Sequence, residues 1–180
     1  MKRFAAAAAV LLAGCVSLLP ERAAQSYYRL EDAAQAAAAL ASATRAGPSA
    51  LIAPVPTDSV GNSFGLAYTR AAGERAFYQY AQWTDRPTFR VAQLLLDRLA
   101  ARGAFSSVAR LGSGVAGDVL INVIVTDAVH DLTSGGAGVG RVEAMIEVID
   151  RQPRALLGRR HFAFAAPAAA ANAAGGAAAI

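Results

Sequence analysis

The stretch that decides the fold is residues 74–110, ERAFYQYAQWTDRPTFRVAQLLLDRLAARGAFSSVAR, in which an aromatic-rich segment leads directly into an amphipathic one. In its first part, Tyr78 and Tyr80 fall on one parity of the chain, and Phe77 and Trp83 fall on the other. Alternation with this many aromatic residues predicts a β-strand that is covered on both faces. Because aromatic side chains also anchor protein interfaces, Tyr78, Tyr80 and Trp83 are candidate interface residues, with a place in the core as the alternative.

The second part of this stretch predicts the principal helix of the chain. Asp85 suits the N-cap, because its carboxylate can accept a hydrogen bond from a free amide, and Pro87 suits the first helical turn. Apolar residues then recur at three- and four-residue steps until Gly103 supplies a left-handed stop. They are Val91, Ala92, Leu94, Leu95 and Leu99. Burial of each large apolar side chain contributes about 1.5–3 kcal/mol, so we expect this helix to cover a sheet.

The remaining strands are predicted from shorter alternating or apolar runs. These runs are residues 26–30, 50–55, 64–69, 104–110, 118–131, 141–150 and 154–165. The glycine-rich residues 135–140 predict an antiparallel hairpin between two of them. Together the runs predict one α+β domain over residues 26–167, with a mostly antiparallel sheet and one principal amphipathic helix packed on a face.

Two alanine-rich segments lack a large apolar face. Residues 31–44 suit either a helix, by the propensity of alanine, or a low-complexity linker, and both alternatives stay open. Residues 168–180 form an alanine-rich tail that is broken by Gly175 and Gly176 and has Ile180 as its one large apolar residue.

The N-terminal residues predict export and lipidation. Lys2 and Arg3 precede an apolar run that is too short to span a bilayer comfortably, so residues 1–14 are interpreted as a cleaved signal peptide. The run ends in Leu-Ala-Gly before Cys15, an order that resembles the bacterial lipobox, in which the cysteine becomes the acylated first residue of the mature protein. The alternative is an ordinary secretory signal in which Cys15, the one cysteine of the chain, is incidental.

Lipidation at Cys15 would hold the domain close to a membrane. Three acyl chains, palmitate among them, anchor a protein far more firmly than one chain does. Val16, where an aspartate would favour the inner membrane, points to the periplasmic face of the outer membrane of a Gram-negative bacterium. Residues 15–25 form the lipidated cysteine and its tether, which reaches about 35 Å when fully extended. Removing residues 1–14 also removes Lys2 and Arg3, so the formal net charge falls from +4 to +2.

Several kinds of chemistry are not expected. The loop at residues 112–117 matches the dinucleotide glycine pattern, but a strand rather than a helix follows it, so a flexible loop is favoured over nucleotide binding. Asp127 and Asp131 flank His130, yet His130 and His161 lack a third ligand at a recognisable spacing, and structural or solvent-facing roles are favoured over metal binding. We predict no enzyme, catalytic residue, cofactor or metal site. Nucleic acid is not an expected partner, because the arginines are scattered singly among acidic residues.

Several short motifs carry a resemblance to a known family. They are Tyr27-Tyr28-Arg29-Leu30, Ala67-Tyr68-Thr69-Arg70, Gly73-Glu74-Arg75-Ala76, Tyr78-Gln79-Tyr80-Ala81-Gln82-Trp83, Arg86-Pro87, Arg102-Gly103-Ala104-Phe105 and Val108. The chain resembles the auxiliary lipoprotein component of ABC-type transport systems. Members of this family occur together with MCE (mammalian cell entry) lipid transporters, and the family includes the paraquat-inducible auxiliary lipoprotein. Members of that family close with a longer amphipathic helix, so the tail 168–180 resembles a truncated closing helix.

The resemblance implies a docking role rather than catalysis. The expected function is that of an outer-membrane lipoprotein that serves as the accessory subunit of an MCE-type ABC transporter moving phospholipid between the inner and outer membranes. The expected partners are an MCE protein and its transporter, with phospholipid itself and a second copy of the chain left open. The alternatives are a structural or assembly lipoprotein without lipid transport and, more remotely, a lipoprotein hydrolase.

Overall fold

The computed structural model of the chain describes residues 24–32 and 47–180, which form one mixed β-sheet with helices on one face. The strands are β1 Ser26–Tyr28, β2 Ala50–Pro54, β3 Gly65–Thr69, β4 Ala76–Trp83, β5 Val108–Arg110, β6 Val119–Asp131, β7 Val139–Asp150 and β8 Ala155–Pro167. The helices are α1 Pro87–Arg102 and α2 Ala173–Ala179. The predicted signal peptide, Cys15, most of the tether and nearly all of the alanine-rich segment 31–44 lie outside the described residues. No helix of the described part is long and apolar enough to cross a membrane.

Strand β6 is the centre of the sheet. One of its edges pairs antiparallel with β7 from Val119 to Asp131. Along its other edge, the first residues of β6 pair with β2 and the last with β3, both in parallel. The 3-10 turn Val60–Asn62 fills the gap between β2 and β3. A Cβ on Gly61 would lie 2.2 Å from the carbonyl oxygen of Val125, so this close approach requires glycine.

The sheet has β1 at one edge and β8 at the opposite edge. From β6, the pairing runs through β3 and β4 to β1 in one direction and through β7 to β8 in the other. The long ladders β6–β7 and β7–β8 are antiparallel, and the shorter pairings of β1 with β4, β2 with β5, and β6 with β2 and β3 are parallel. The predicted α+β fold with one main helix and a hairpin around residues 135–140 is confirmed.

Helix α1 covers the sheet much as its pattern predicts. Val91 contacts all three groups of core residues, which lie mainly on β2, β3, β6, β7 and the end of β4. Gly103 ends the helix with a left-handed φ of 69°. The predicted N-cap is wrong: Pro87 takes the first helical position, so Arg86 is the N-cap, and it makes no side-chain cap bond. The Asp85 carboxylate instead accepts a hydrogen bond from the hydroxyl of Thr84 at 3.2 Å.

The alanine-rich tail packs on the same face as α1. Asn172 caps α2, because its side-chain oxygen accepts a hydrogen bond from the Gly175 amide at 2.9 Å. Gly175 and Gly176 are buried, and Gly140 of β7 lies directly against Ala179. Small residues thus let the helix approach the sheet closely, which replaces the large apolar face that the sequence lacks.

Strand β4 departs from the predicted two-sided burial. Phe77 is 51% exposed and Tyr80 is 46% exposed, whereas Trp83 is 2% exposed. The register with β3 shifts between Gly65 and Ala67, so residues of both parities reach the helix-covered face. Tyr78, Ala81 and Trp83 consequently belong to one core group, although simple alternation would separate Tyr78 from the other two. The prediction of coverage on both faces is therefore wrong.

Candidate interaction surface

A buried histidine, His130 of β6, forms hydrogen bonds with β4 and with the β6–β7 hairpin. His130 is 0% exposed, and its Nε2 lies 2.7 Å from the carbonyl oxygen of Ala137 in the β6–β7 hairpin. Because a carbonyl oxygen only accepts, Nε2 must carry the proton, and in the neutral ring Nδ1 accepts from the Tyr78 hydroxyl at 2.8 Å. Burial raises the pKa of Tyr78, which favours this neutral donor. His130 therefore has a structural role, as favoured from the sequence.

An ion-pair network lies near the end of β6. Asp127 is 7% exposed and accepts from Arg75 at 2.8 Å and from Arg141 at 3.1 Å. Arg141 also pairs with Asp131 at 3.0 Å. The hydroxyl and amide of Thr133, followed by the positive charge of Arg141, hold the pKa of Asp131 below its usual value despite partial desolvation. Each carboxylate pairs with an arginine of the same domain, so the network joins the turn before β4 to β6 and β7 rather than offering a reactive group.

The two histidines do not form a site. His161 lies on β8, is exposed, and has its Nε2 3.8 Å from Glu143, whereas His130 lies on β6 beyond the intervening β7. Among residues 24–32 and 47–180, no three His, Cys, Asp or Glu side chains are grouped so that they could hold a metal ion. The glycine-rich residues 112–117 form the loop between β5 and β6, as predicted.

The three candidate interface residues have different environments. Trp83 is 2% exposed and lies in the core, which is the alternative that the sequence left open for this side chain. Tyr78 is half-buried and its hydroxyl is bonded to His130, which gives it a structural role instead. Tyr80 is exposed beside the β1 edge, where Ser26 pairs with Ala81. Of the three, Tyr80 alone remains available to a partner.

Strand β8 exposes several large apolar side chains, and the sequence did not single it out as a surface. Every residue of β8 is exposed except the half-buried Phe162. Leu156, Leu157 and Phe164 are 51%, 60% and 66% exposed. In the described part of the chain, β8 pairs with β7 alone, so its outer edge presents unpaired backbone amides and carbonyls. One signal was present in the sequence: residues 155–167 are mostly apolar on both parities and contain no acidic residue.

An apolar groove continues from β8 towards α1. Its volume is about 350 Å³, and Phe164 forms part of its wall. The other apolar side chains that line it are Leu30, Pro87, Val91, Leu94, Ala128, Val142 and Ile180. The ion pair between Arg98 and Asp32 lies at the same groove. Glu31 also lines the groove, so a partner that pairs with β8 could insert an aromatic or aliphatic side chain against the apolar wall and meet this carboxylate at its side.

Comparison with known proteins places this fold in a family. The sequence profile of the ABC-type transport auxiliary lipoprotein component matches residues 28–180. A Xanthomonas campestris protein of the DUF330 family has a similar crystal structure, with a TM-score of 0.67, 18% identity, and coverage of 75% of this chain and 76% of that one. The crystal structure of an uncharacterised protein is similar with a TM-score of 0.59 and 16% identity, covering 87% of this chain and 88% of that one.

These structures share the fold at low sequence identity, and no curated protein matches the sequence. The profile match begins at Tyr28, the last residue of β1, and extends to the last residue of the tail, so it includes β2 to β8 and both helices. The chain belongs to the family of ABC-type transport auxiliary lipoprotein components.

Proposed function

We propose that the chain is a lipid-anchored periplasmic protein of the outer membrane that docks the MCE protein of an ABC-type phospholipid transporter. Membership of the transport auxiliary family supports the general role. The observation that supports the docking role most directly is that the two opposite edges of the sheet have different characters. The chain enters the sheet at β1, and the exposed apolar strand β8 forms the opposite edge.

The distance between the two edges suits a domain that holds a partner away from the membrane surface. The order β1-β4-β3-β6-β7-β8 contains five inter-strand steps, which span about 24 Å at roughly 4.8 Å per step. An anchor upstream of β1 would hold that edge near the membrane, while β8 stays available to a partner. Acyl chains on Cys15 are the proposed anchor.

The docking surface is the outer edge of β8, and its occupant is an extended segment of the MCE protein. An exposed edge strand binds such a segment by adding it to the sheet, with backbone hydrogen bonds for affinity and side-chain contacts for specificity. Leu157 and Phe164 offer apolar contacts, and Arg154 and Arg160 are exposed along or beside the strand. By charge complementarity, the segment should combine apolar with acidic side chains.

The anchor is tested by replacing its cysteine. Cys15→Ala should move the protein from the membrane pellet into the soluble periplasmic fraction, because no acyl chain can be attached. Mass spectrometry of the wild-type N-terminus should show an acylated Cys15. Continued pelleting of the variant after a high-salt wash, or an unmodified wild-type N-terminus, would contradict the proposal.

Docking is tested by crosslinking in the cell envelope followed by affinity capture. The wild-type chain should capture the MCE protein, and Leu157→Asp should lose most of this capture because it places a charge on the apolar edge. Val115→Asp is the matched control, since Val115 is 50% exposed and lies in the loop between β5 and β6. Equal loss in both variants, or capture of outer-membrane assembly proteins without any MCE protein, would argue against this role.

A further inference from the structure

A second surface gathers arginine and phenylalanine side chains at the N-terminal end of α1. It is an open cleft of about 440 Å³ between the end of β1, the turn after β4 and the first turns of α1. Its arginines and aromatic residues are Arg29, Arg86, Arg90, Arg110, Phe64 and Phe89. Asp85 is the one acidic residue that lines it, so we call it the arginine cleft.

Among the described residues, the arginines of this cleft are clustered and lack carboxylate partners, whereas several arginines of the domain lie in ion pairs. Arg75, Arg98, Arg141 and Arg159 each pair with a carboxylate. Within residues 24–32 and 47–180, by contrast, no carboxylate forms an ion pair with any of the four arginines of the arginine cleft. Four arginines and the single carboxylate of Asp85 therefore leave an excess of positive charge in the cleft.

Three of these arginines are nevertheless positioned by the protein. The Nη2 of Arg110 donates to the side-chain oxygen of Gln93. The Nε of Arg90 donates to the carbonyl oxygen of Leu30 at 2.7 Å, which fixes its stem beside the end of β1. The guanidinium of Arg86 lies 5.0 Å from the ring centre of Phe64. Pre-positioned guanidinium groups can bind a phosphate with paired, charge-assisted hydrogen bonds at a reduced entropic cost.

The apolar side chains of the cleft indicate a lipid rather than a free anion. Phe64 and Phe89 are 45% and 41% exposed beside the charges. Phe89 and Arg110 also line an adjoining cavity of about 190 Å³, whose other walls include Ile52, Pro54, Ala92, Leu96 and Leu111. A hydrated inorganic phosphate gains nothing from such a wall. A membrane surface offers phosphate groups with apolar chains beneath them, and basic and aromatic side chains together are typical of interfacial membrane contacts.

We propose that the arginine cleft binds anionic phospholipid headgroups in the bilayer to which the chain is anchored. The proposal rests on the proposed anchorage for its proximity to the membrane. Arg29 follows β1 directly, so the cleft lies at the edge of the sheet where the chain enters the domain. Together with the acyl chains, this contact gives the domain a second attachment and orients it, with β8 on the far edge.

The test measures orientation on vesicles with the acylated full-length mature lipoprotein. A polarity-sensitive fluorophore is attached at Thr84→Cys, which lines the arginine cleft, and in a separate sample at Gln152→Cys, in the turn between β7 and β8. The protein is reconstituted on phosphatidylcholine vesicles with or without phosphatidylglycerol. We expect a blue shift of the Thr84 probe when phosphatidylglycerol is present and none at the Gln152 probe. The shift should disappear in about 1 M NaCl, where the Debye length is ~3 Å.

Paired charge reversals identify the residues responsible. Arg86→Glu should abolish the blue shift, whereas Arg102→Glu should retain it, because Arg102 lies at the opposite end of the same helix and undergoes the same change of charge. Thermal unfolding of both variants shows whether each remains folded. Arg29→Gln provides a second, milder variant and should reduce the shift.

The outcomes separate the possible ligands. A blue shift that is insensitive to phosphatidylglycerol or to Arg86→Glu would overturn the proposal. Reversal of the shift by millimolar inorganic phosphate at constant ionic strength would identify a free-anion site, and a shift that requires an added transporter protein would identify a protein partner. Both results would also overturn it. If the protein dissociates from the vesicles, the proposed anchorage is wrong. The role of the cleft is then tested by sedimenting the protein with vesicles. Binding of the wild type that requires phosphatidylglycerol and is lost in Arg86→Glu would support the cleft, and any other result would overturn it.

Discussion

Strands β6 and β8 flank the same strand and have opposite environments. Each contains 13 residues, and each pairs antiparallel with β7. Val123, Val125 and Val129 of β6 are 0% exposed, and within the strand Thr126 alone is fully at the surface. In β8, by contrast, even large apolar side chains such as Leu157 are exposed. Similar strand-forming sequences thus serve the core in one position and a surface in the other.

The difference follows from what lies on either side of each strand. β6 has paired strands on both edges, and α1 and α2 pack over its face. β8 has a neighbour on one edge only, and the described helices leave most of it uncovered. Apolar residues in β6 therefore stabilise the domain, whereas those in β8 contribute little to its folding. Their retention at the surface is the main physical reason for assigning β8 to a partner.

The largest difference in stability is expected when an aspartate is introduced into each of the two strands. Val123→Asp would bury a carboxylate without a counter-ion, at a cost of several kcal/mol, and should prevent stable folding. Leu157→Asp should change the free energy of unfolding by less than about 0.5 kcal/mol, because the carboxylate stays in water. Thermal unfolding followed by circular dichroism measures both. Comparable destabilisation by the two changes would remove the contrast.

A smaller difference in stability is expected when a methyl group is added to a buried glycine beside β6 and to an exposed glycine in β8. In Gly176→Ala, the new Cβ would lie 2.5 Å from Nδ1 of His130, and this overpacking should destabilise the domain by about 1–3 kcal/mol despite the better helix propensity of alanine. Gly158→Ala in β8 is the control, since its Cβ would meet no atom within 4 Å. Urea unfolding should show a lower midpoint for the first variant only. A stabilised Gly176→Ala would contradict the close packing of α2.

The hydrogen bond between Tyr78 and His130 is expected to contribute about 1–3 kcal/mol when one partner is removed. Tyr78→Phe leaves Nδ1 of the buried His130 without its donor, so the free energy of unfolding should fall by that amount. Tyr27→Phe, at a side chain that is 63% exposed on β1, should have almost no effect. Equal values from chemical denaturation of the two variants would show that the bond does not stabilise the fold.

The smallest expected effect is a dependence of stability on acidic pH. The pKa of Asp131 is lower in the folded state than in the unfolded chain, because Thr133 donates two hydrogen bonds to its carboxylate. Its stabilising contribution is therefore present above the unfolded pKa and is lost as pH falls through the folded pKa. The melting temperature of the wild type should decrease below pH 4, and this decrease should be shallower in Asp131→Asn. Parallel profiles for the two proteins would exclude this contribution.

Local patterns predicted the elements better than their environments. Helix α1 was predictable because its apolar period and Gly103 are local signals, and the β6–β7 hairpin followed from two alternating runs around glycines. Asp85 failed as the N-cap because Pro87 fixed the first helical position one residue later than expected. The error in β4 arose from a register shift against β3, which no pattern within β4 records.

Contacts between distant residues were beyond the sequence patterns. Tyr78 and His130 are 52 positions apart, and nothing in either segment specifies their hydrogen bond. Strand β8 was predicted as a strand, but its exposure depends on the absence of a neighbour along one edge in the described domain. The arginine cleft was missed for the same reason, since Arg29, Arg86 and Arg110 are brought together by β1, α1 and β5.

Hydrogen–deuterium exchange with and without the purified MCE protein tests the role of β8 most directly. In the free protein, β6 amides should exchange slowly and the β8 amides that point away from β7 should exchange quickly, because that edge of β8 is unpaired in the described domain. Addition of the MCE protein should slow exchange in residues 155–167 and leave β6 unchanged. Protection that appears elsewhere while β8 continues to exchange quickly would contradict the assignment of this strand as the docking edge.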